Sequence, residues 1–331
     1  MSVTSSRHPV RANSHVLRLL GDELIGDDGL AIFELVKNGY DADASKVSVV
    51  IDVTSRSPRI VVTDDGHGMS LEDIRDKWLV LATDSKRGDD NRKRSKKYHR
   101  LPLGEKGVGR IAAFKLGNEL TITTRAAGQK ECVVQVNLNE MLEQGPFLED
   151  LTVQIEQRQS TDFAGNRTGT RIEIQALHKK TWQRADLRKL YRLVTSLSSP
   201  FNTSDSFSVE FSAPGNEKAL EGMLGPNDFM DQAIWYFWFS LERDGFRWKY
   251  TFRPPNWKGV IGRQKKVPDD RLLLARNAMD DEVRRKSDDD QARVFEGKML
   301  EGIGPISGVI YGFYLRSEVL KASGNQTQMK G

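Results

Sequence analysis

The chain of 331 residues is long enough for two domains of ordinary size, each with its own hydrophobic core. A content of 38% hydrophobic and 29% charged residues is typical of a folded globular protein and excludes a disordered chain. The net charge of +4 comes from one basic segment, Lys86–Arg100, where eight Lys and Arg accompany two Asp, so a generally basic surface is excluded.

The cysteine content and the lengths of the apolar runs indicate the cellular compartment of the protein. Cys132 is the single cysteine, which excludes an internal disulfide and a thiolate metal cluster, and we expect it in the core. The residues before His15 lack the apolar region of a signal peptide, and the most apolar run, Ala233–Phe239, is too short to cross a bilayer. We therefore expect a cytoplasmic protein without membrane contact.

A helix is predicted over Asp28–Ala44. At 3.6 residues per turn its apolar residues fall on one broad arc, which indicates packing on a core. Its polar residues line up on the opposite face at i, i+4, i+7 spacing: Glu34, Asn38 and Asp41. For this helix alone, the simpler interpretation is a polar stripe that faces water.

A second polar cluster follows the strand predicted over Arg59–Thr63. The strand ends in the run Asp64–Met69, and a helix over Ser70–Leu81 follows, in which Ser70 and Asp73 complete a capping box. Asp-Gly pairs are common in turns, so a plain turn is one interpretation. In the other, the Asp64 carboxylate accepts a hydrogen bond from an adenine amino group, while Met69 offers an apolar face.

A long polar loop over residues 82–103 leads to a glycine-rich segment, Gly104–Arg110, at the start of a helix over Ile111–Leu116. Bare backbone N–H groups at a helix N-terminus form a natural cradle for phosphates. A Rossmann motif is rejected because a basic loop, not a strand, precedes the glycines. A Walker-type loop is excluded because no Gly-Lys-Ser/Thr closes the segment.

The remaining chain predicts further strands and a second domain. Four strands in a mainly antiparallel series are predicted after the glycine-rich segment: Leu120–Thr124, Cys132–Asn137, Thr152–Gln157 and Thr170–Gln175. A change in composition near residue 180 predicts domains over 1–180 and 181–331. The second domain contains a strand expected to be buried, Gly308–Leu315, and we expect it to be incomplete at its C-terminus.

The order and spacing of five motifs resemble one ATPase superfamily over about residues 20–175. The motifs are an E-x-x-x-N helix, a D-x-G-x-G-M strand end, a polar lid, a G-x-x-G-x-G helix start and Thr168-Gly169-Thr170. The series resembles the GHKL ATPases, which include DNA gyrase B, Hsp90, histidine kinases and MutL. The lid opening after Trp78 looks most like the MORC and Hsp90-like branch. The resemblance implies an α/β, two-layer α+β Bergerat fold with a lid over 82–103, followed by a transducer-like (ribosomal S5 domain 2-like) domain.

The same resemblance implies roles for individual residues. Glu34 would be the general base, Asn38 would bind Mg²⁺, and Asp64 would recognise adenine with help from Thr170. Further ATP contacts are implied for other motif residues: Asp41, Ala42, Gly66, Gly68, Met69, Gly104, Lys106, Gly107, Val108, Gly109 and Arg110. Residues of the lid would reach the phosphates as it closes: Thr83, Ser85 and Lys86. Lys265 and Lys266 are weak candidates for the lysine that transducer domains place on the γ-phosphate.

The implied function is Mg²⁺-dependent ATP binding and slow hydrolysis, which drive lid closure and homodimerisation as a switch or clamp. Two alternatives stay open: an Hsp90-like chaperone ATPase, and a non-hydrolysing nucleotide-sensing scaffold, against which Glu34 argues. The basic segment Lys86–Arg100 either attracts phosphate or contacts nucleic acid or an acidic partner. We expect residues 1–14 and the lid to be unanchored without nucleotide.

Overall fold

The computed structural model describes residues 9–80, 94–104, 112–199, 207–225, 230, 233–242, 245–253, 263–266 and 306–313. Its contacts divide the chain into two units, Met1–Pro226 and Asn227–Gly331. The first unit combines a mixed sheet with helices, which is the predicted α/β class. Within the described ranges, none of the helices has both the length and the apolar character that a membrane crossing requires.

The first unit is built on a seven-stranded sheet. Its strands are β1 Lys46–Asp52, β2 Arg59–Asp64, β3 Gly117–Arg125, β4 Glu131–Asn137, β5 Gln154–Arg158, β6 Gly169–Leu177 and β7 Ser208–Ser212. The strand order is β5-β4-β3-β6-β2-β1-β7. Neighbouring strands are antiparallel except for β1 and β7, which are parallel. The antiparallel series predicted after the glycine-rich segment is confirmed.

Helices of the first unit pack on this sheet and on one another. They are α1 Val16–Leu24, α2 Asp28–Asp41, α3 Leu71–Asp73 with a π-helical extension Ile74–Trp78, α4 Ala112–Leu116, α5 Leu138–Leu142, α6 Arg184–Thr195 and α7 Glu217–Leu220. The side chain of Asp27 caps α2 by accepting a hydrogen bond from Leu30 N–H at 2.8 Å. The predicted capping box of Ser70 and Asp73 is present at the start of α3.

The core lies between the sheet and the helices α2, α4 and α6. The apolar face predicted for α2 is buried through Ala31, Ile32, Leu35, Val36 and Gly39. The sheet contributes fully buried side chains that include Ile51, Ile60, Ile122 and Ile174. Cys132 is buried in the same core, as predicted.

The first unit extends beyond the boundary predicted near residue 180. Helix α6 packs against α2, and β7 pairs with β1 from Lys46 opposite Ser208 to Val50 opposite Ser212. These contacts join the residues after 180 to the same sheet, so the compact unit runs to Pro226. The predicted division into 1–180 and 181–331 therefore differs from the division that the contacts show.

Residues before α1 are attached to the loop that precedes β5. Ser14 N–H donates to Pro146 O at 3.0 Å, and Leu148 N–H donates to Ala12 O at 2.9 Å. The Arg11 guanidinium lies 3.4 Å from the centroid of the Phe147 ring. The expectation of an unanchored N-terminal arm is thus wrong for residues 11–14, while residues 1–8 lie outside the described part of the chain.

The second unit contains a four-stranded antiparallel sheet of order β10-β9-β8-β11, formed by β8 Trp235–Glu242, β9 Gly245–Phe252, β10 Arg263–Lys266 and β11 Ile306–Gly312. Aromatic rings stack across it, with the centroids of Trp235 and Phe252 4.3 Å apart. The strand predicted near Gly308 is present, but Ile310 is 58% exposed, so the expected burial is wrong. Lys265 and Lys266 lie in β10.

Candidate functional site

Helix α2 lies directly against the end of β2 because one position between them has no side chain. A Cβ on Gly39 would lie 2.6 Å from Val47 Cγ2 and 3.1 Å from Asp64 Cβ, closer than side chains tolerate. Glycine at this position therefore permits the close packing of the helix on the strands. As a result, the helix that carries Glu34 and Asn38 is adjacent to the Asp64 carboxylate.

Asp64 is the last residue of β2 and is half-buried. Its Oδ1 accepts hydrogen bonds from the N–H groups of Gly66 at 2.9 Å and Thr170 at 3.3 Å. Burial raises the pKa of Asp64 to about 6, and these two hydrogen bonds offset the shift only in part. Among the described residues, Oδ2 accepts no hydrogen bond. A desolvated carboxylate with unused acceptor capacity is suited to a polar ligand.

The turn after Asp64 approaches the end of α2. His67 N–H donates to Ala42 O at 2.9 Å, and a Cβ on Gly66 would lie 2.6 Å from that same oxygen. Thr168 Oγ1 donates to Gly66 O at 2.7 Å, which ties the turn to the start of β6. The structure thus brings the predicted residues Ala42 and Gly66 together with Asp64, and Gly68 is buried in the same turn.

A pair of threonine hydroxyls fixes the far side of this turn. Met69 N–H donates to Thr124 Oγ1 at 2.9 Å. The Thr124 hydroxyl lies 3.0 Å from both Gly169 O and Thr170 Oγ1. In the structure Thr170 therefore supports Asp64 through its backbone N–H, while its hydroxyl contacts Thr124. Sequence analysis missed Thr124, because its position on β3 becomes relevant only through the pairing of β3 with β6.

The polar face of α2 carries the other central predictions. Glu34 is half-buried and Asn38, one turn later, is exposed. Glu34 Oε1 accepts a hydrogen bond from Lys37 Nζ at 2.6 Å, an ion pair that the sequence analysis missed. A Glu and a Lys three residues apart on a helix are close enough to pair, so the spacing contained this signal.

The oxygens of Glu34 and Asn38 are of the kind that Mg²⁺ binds. Within the described ranges, no cluster of three or more His, Cys, Asp or Glu could hold a metal ion alone. Mg²⁺ usually keeps several waters and binds one or two protein groups together with phosphates. The donor set on α2 fits that mode of binding and does not fit a metal cage made of protein ligands only.

The end of α2 holds the start of the glycine-rich segment. Asp41 Oδ1 accepts from Leu103 N–H at 2.7 Å, and its Oδ2 accepts from Gly104 N–H at 3.1 Å. Asp41 was predicted to contact the nucleotide, but the structure shows its carboxylate bound to the backbone of Leu103 and of Gly104, the first residue of the predicted phosphate cradle. The N–H of Gly104 therefore donates to Asp41 here, which differs from its predicted role of donating to phosphate. Gly104 itself is half-buried.

Several predicted residues lie outside the part of the chain that the structure describes, so their roles stay predictions: Thr83, Ser85, Lys86, Lys106, Gly107, Val108, Gly109 and Arg110. Residues 82–93 of the predicted lid also lie outside it. Of the basic segment, Arg94, Lys96 and Lys97 are exposed, whereas Arg100 is only 8% exposed. The assignment of Arg100 to a basic surface is therefore wrong, because its side chain belongs to the interior.

A family model of known proteins matches the part of the chain that carries this site. Residues 29–170 match the family model of the histidine kinase-, DNA gyrase B-, and HSP90-like ATPases. The matched segment spans Glu34, Asn38, Asp64 and Thr170. Over this segment, 142 of the 331 residues, the chain is similar to the GHKL superfamily of ATPases. The match does not separate the MORC branch from the other branches of the superfamily.

Curated relatives are similar to the chain over part of its length. The putative type II restriction enzyme HgiDII of Herpetosiphon aurantiacus is 39% identical over 85 residues, which cover 26% of this chain and 13% of that protein. The DNA mismatch repair protein MutL of Halobacterium salinarum is 29% identical over 173 residues, which cover 50% of this chain and 22% of that protein. The chaperone protein HtpG of Methylorubrum populi is 27% identical over 153 residues, which cover 40% of this chain and 24% of that protein. The chain thus covers less than a quarter of the length of each of these three relatives.

Proposed function

We propose that the protein binds ATP with Mg²⁺ beside the end of β2 and hydrolyses it slowly. The observation that carries this proposal is the Asp64 carboxylate, which is desolvated, has a pKa raised to about 6 and lies directly against the helix with Glu34 and Asn38. A carboxylate with a free oxygen can accept a hydrogen bond from the adenine amino group. Half-buried Met69 lies in the adjoining turn and offers apolar contact to a base.

The polar face of α2 supplies the groups for phosphoryl transfer. We assign Asn38 to Mg²⁺, which would neutralise charge on the phosphates when bound. Glu34 orients the attacking water and accepts its proton, which calls for a carboxylate within reach of solvent. Phosphoryl transfer needs mainly positioning and charge stabilisation, and the N–H groups after Gly104 suit the phosphates.

The finer proposal is that nucleotide binding closes the lid and joins two copies of the chain into a switch or clamp. The match to the GHKL family model supports it, because members of that superfamily commonly dimerise. Light scattering with and without a non-hydrolysable ATP analogue tests it, and we expect a dimer only with the analogue. A monomer at every nucleotide concentration would leave a simple nucleotide-binding domain.

Nucleic-acid contact is a further part of the proposal, and the exposed side chains of Arg94, Lys96 and Lys97 support it. Binding through such residues weakens steeply with salt because counterions are released from the phosphates. A triple change of these residues to Glu should abolish DNA binding in a filter assay. Binding that survives the change would place any nucleic-acid surface elsewhere.

Separate measurements of binding and turnover test the ATPase assignment. Asp64→Asn should lower ATP affinity about tenfold to a hundredfold, because a charged acceptor worth roughly 1.5–3 kcal/mol is lost. Glu34→Ala should still bind ATP but lose roughly 10²–10⁴ in turnover. Calorimetry and phosphate release measure the two effects.

The same variants decide between the alternatives. If Glu34→Ala hydrolyses ATP as fast as the unchanged chain, Glu34 is not the base. If the unchanged chain binds ATP without any turnover, the nucleotide-sensing scaffold is correct. An Hsp90-like chaperone would hydrolyse ATP and also suppress the aggregation of an unfolded protein in a nucleotide-dependent way.

A further inference from the structure

Lys37 is the single basic residue of helix α2, and its side chain contacts the carboxylate of Glu34. Its Nζ donates a hydrogen bond to Glu34 Oε1 at 2.6 Å. The same Nζ lies 5.8 Å from the centroid of the Phe33 ring, within the range of a cation–π contact. From the described part of the chain, Glu34 Oε2 accepts no hydrogen bond. The ammonium thus engages one of the two carboxylate oxygens of the proposed general base.

This ion pair is better shielded from water than a comparable pair elsewhere in the first unit. The side chains of Lys37 and Glu34 are 17% and 29% exposed, whereas that of Lys77, which pairs with Asp73 four residues earlier, is 79% exposed. Exposed ion pairs contribute little, because water screens the charges and both side chains keep most of their freedom. Shielding strengthens the attraction between Lys37 and Glu34 and restricts the rotation of both side chains.

Local helix geometry creates this arrangement. Phe33 and Glu34 precede Lys37 by four and three residues, the spacings at which side chains meet on the surface of a helix. Helix α2 is itself fixed, because Gly39 allows it to pack closely against Asp64 on β2. A group on a rigid element is held more precisely than a group on a loop. Lys37 therefore restrains the Glu34 carboxylate on a helix whose position beside Asp64 is already set.

We propose that Lys37 is a positioning residue for Glu34 in ATP hydrolysis. A glutamate side chain rotates about three bonds, and a general base must stay within hydrogen-bond reach of the water that it activates. By holding Oε1, Lys37 restricts these rotations, so the carboxylate is ordered before ATP binds and Oε2 is the oxygen that meets the water. The inference rests on the proposed function, in which Glu34 is the base, and adds the residue that orders it.

Lys37→Met tests this role, because it keeps the apolar stem of the side chain and removes the ammonium. We expect kcat to fall about threefold to thirtyfold, since the carboxylate then has to be ordered in each turnover. The affinity for ATP, measured by calorimetry, should change less than about threefold, because Lys37 acts on Glu34 and not on the nucleotide. Lys37→Arg retains a cationic donor at the same position and should recover most of the lost kcat.

Lys46→Met is the matched control. Lys46 also pairs with a carboxylate, Glu210 Oε1 at 2.5 Å, but through exposed side chains on the neighbouring strands β1 and β7. We expect kcat and ATP affinity of this variant to equal those of the unchanged chain. Equal losses of kcat in Lys46→Met and Lys37→Met would mean that the loss of any lysine slows turnover, which contradicts a specific role of Lys37.

A double-mutant cycle with Glu34→Ala decides whether Lys37 acts through Glu34. In that background Lys37→Met should change the residual rate of phosphate release less than about twofold, because the carboxylate that Lys37 orders is absent. The same fold-loss in both backgrounds would place Lys37 on the nucleotide. A kcat that rises in Lys37→Met would mean that the ion pair inhibits the base. Either result overturns the inference.

Failure of the proposed function gives a different pattern. A chain that binds ATP without turnover, or a Glu34→Ala variant with full activity, removes Glu34 as the base, and the inference fails with it. If Glu34→Ala has lost activity and Lys37→Met has not, the proposed function stands and only the role of Lys37 is wrong.

Discussion

Two carboxylates of the same sheet, those of Asp64 and Glu131, differ in the number of hydrogen-bond donors that surround them. Glu131, at the start of β4, has a fully buried side chain that accepts hydrogen bonds from Arg158, Thr161, Asp162 and Phe163 at 2.8 to 3.3 Å. Asp64, at the end of β2, is half-buried, and among the described residues it accepts from two backbone N–H groups only. The Glu131 carboxylate is surrounded by donors, whereas Oδ2 of Asp64 accepts no hydrogen bond from the described residues.

The direction of the pKa shift follows this difference. Burial raises the pKa of Glu131, but the hydrogen bonds from Phe163, Arg158 and Thr161 outweigh it and hold that pKa below its ordinary value. At Asp64 burial outweighs the hydrogen bonds and raises the pKa to about 6. The direction of each pKa shift thus depends on whether the donors around the carboxylate are numerous enough to balance its desolvation.

Glu131 is also connected to the turn after Asp64, through the loop between β5 and β6. By binding the N–H groups of residues 161–163 it orders the loop between β5 and β6. Arg125 Nη1 holds the same loop through Phe163 O at 2.6 Å and Gly165 O at 2.5 Å. The loop ends at Thr168, whose hydroxyl donates to Gly66 O in the turn after Asp64.

The largest expected effect comes from removing the well-satisfied carboxylate. Glu131→Ala leaves several buried donors and one arginine without their acceptor, so it should destabilise the protein by roughly 3–5 kcal/mol. Denaturant unfolding followed by fluorescence measures this loss. Glu156→Ala is the control, because Glu156 is exposed on the neighbouring strand. Equal stability of the two variants would contradict the structural role of Glu131.

Removal of the charge at Asp64 should increase the stability of the folded protein, whereas removal of the Glu131 carboxylate lowers it. A pKa of about 6 in the folded state, against 3.8 in the unfolded state, means that folding costs up to about 3 kcal/mol above pH 6. Below pH 3.8 both states are protonated and the cost vanishes. Asp64→Asn should therefore stabilise the protein at pH 8 and have little effect near pH 4, although under the proposed function it should weaken ATP binding. A loss of stability at pH 8 would contradict the raised pKa.

A milder change at Glu131 should show the reverse dependence on pH. Its pKa is lowered in the folded state, so the charged form contributes stability above the unfolded value of 4.5 and loses it as pH falls through the folded value. Glu131→Gln should cost roughly 1–3 kcal/mol at pH 7 and less in acid. Unfolding midpoints over a pH series give the result, and a penalty that is constant with pH would argue against a charged Glu131.

The smallest expected effect on stability is that of a substitution at Asp65, the neighbour of Asp64 in the sequence. Asp65 is exposed, and its carboxylate accepts from Ser45 N–H at 2.8 Å and Lys46 N–H at 2.9 Å. Asp65→Asn should destabilise the protein by about 1 kcal/mol, since charge-assisted hydrogen bonds at the start of β1 are weakened. Thermal unfolding of both variants at pH 8 should thus give shifts of opposite sign for adjacent residues. Shifts of the same sign would remove the distinction between the two carboxylates.

Local chemistry made much of the first unit predictable. The apolar face of α2 follows from helical periodicity, and the capping box at Ser70 follows from the residue types at two positions. The position of Asp64 at a strand end follows from the abrupt change from Ile60-Val61-Val62 to a glycine-rich turn. Each of these features is set by residues close together in sequence.

Features that depend on distant residues were not predictable in the same way. Arg100 looks like one more cation in a basic run, and only the fold brings Tyr40 and Phe207 to its guanidinium. Composition suggested a boundary near residue 180, but it contains no information on the pairing of β7 with β1. The ion pair of Lys37 with Glu34 is an exception, because the spacing of three residues on a helix is enough to predict it.

The parallel pairing of β1 with β7 has a consequence during synthesis. Between the end of β1 at Asp52 and the start of β7 at Ser208, a ribosome that adds about 5–20 residues per second needs roughly 8–30 s. Throughout that interval the edge of β1 that β7 covers in the finished unit can pair with other chains. Because β1 is rich in valine and isoleucine, the nascent chain exposes a strand edge of high β-propensity for the whole of this interval.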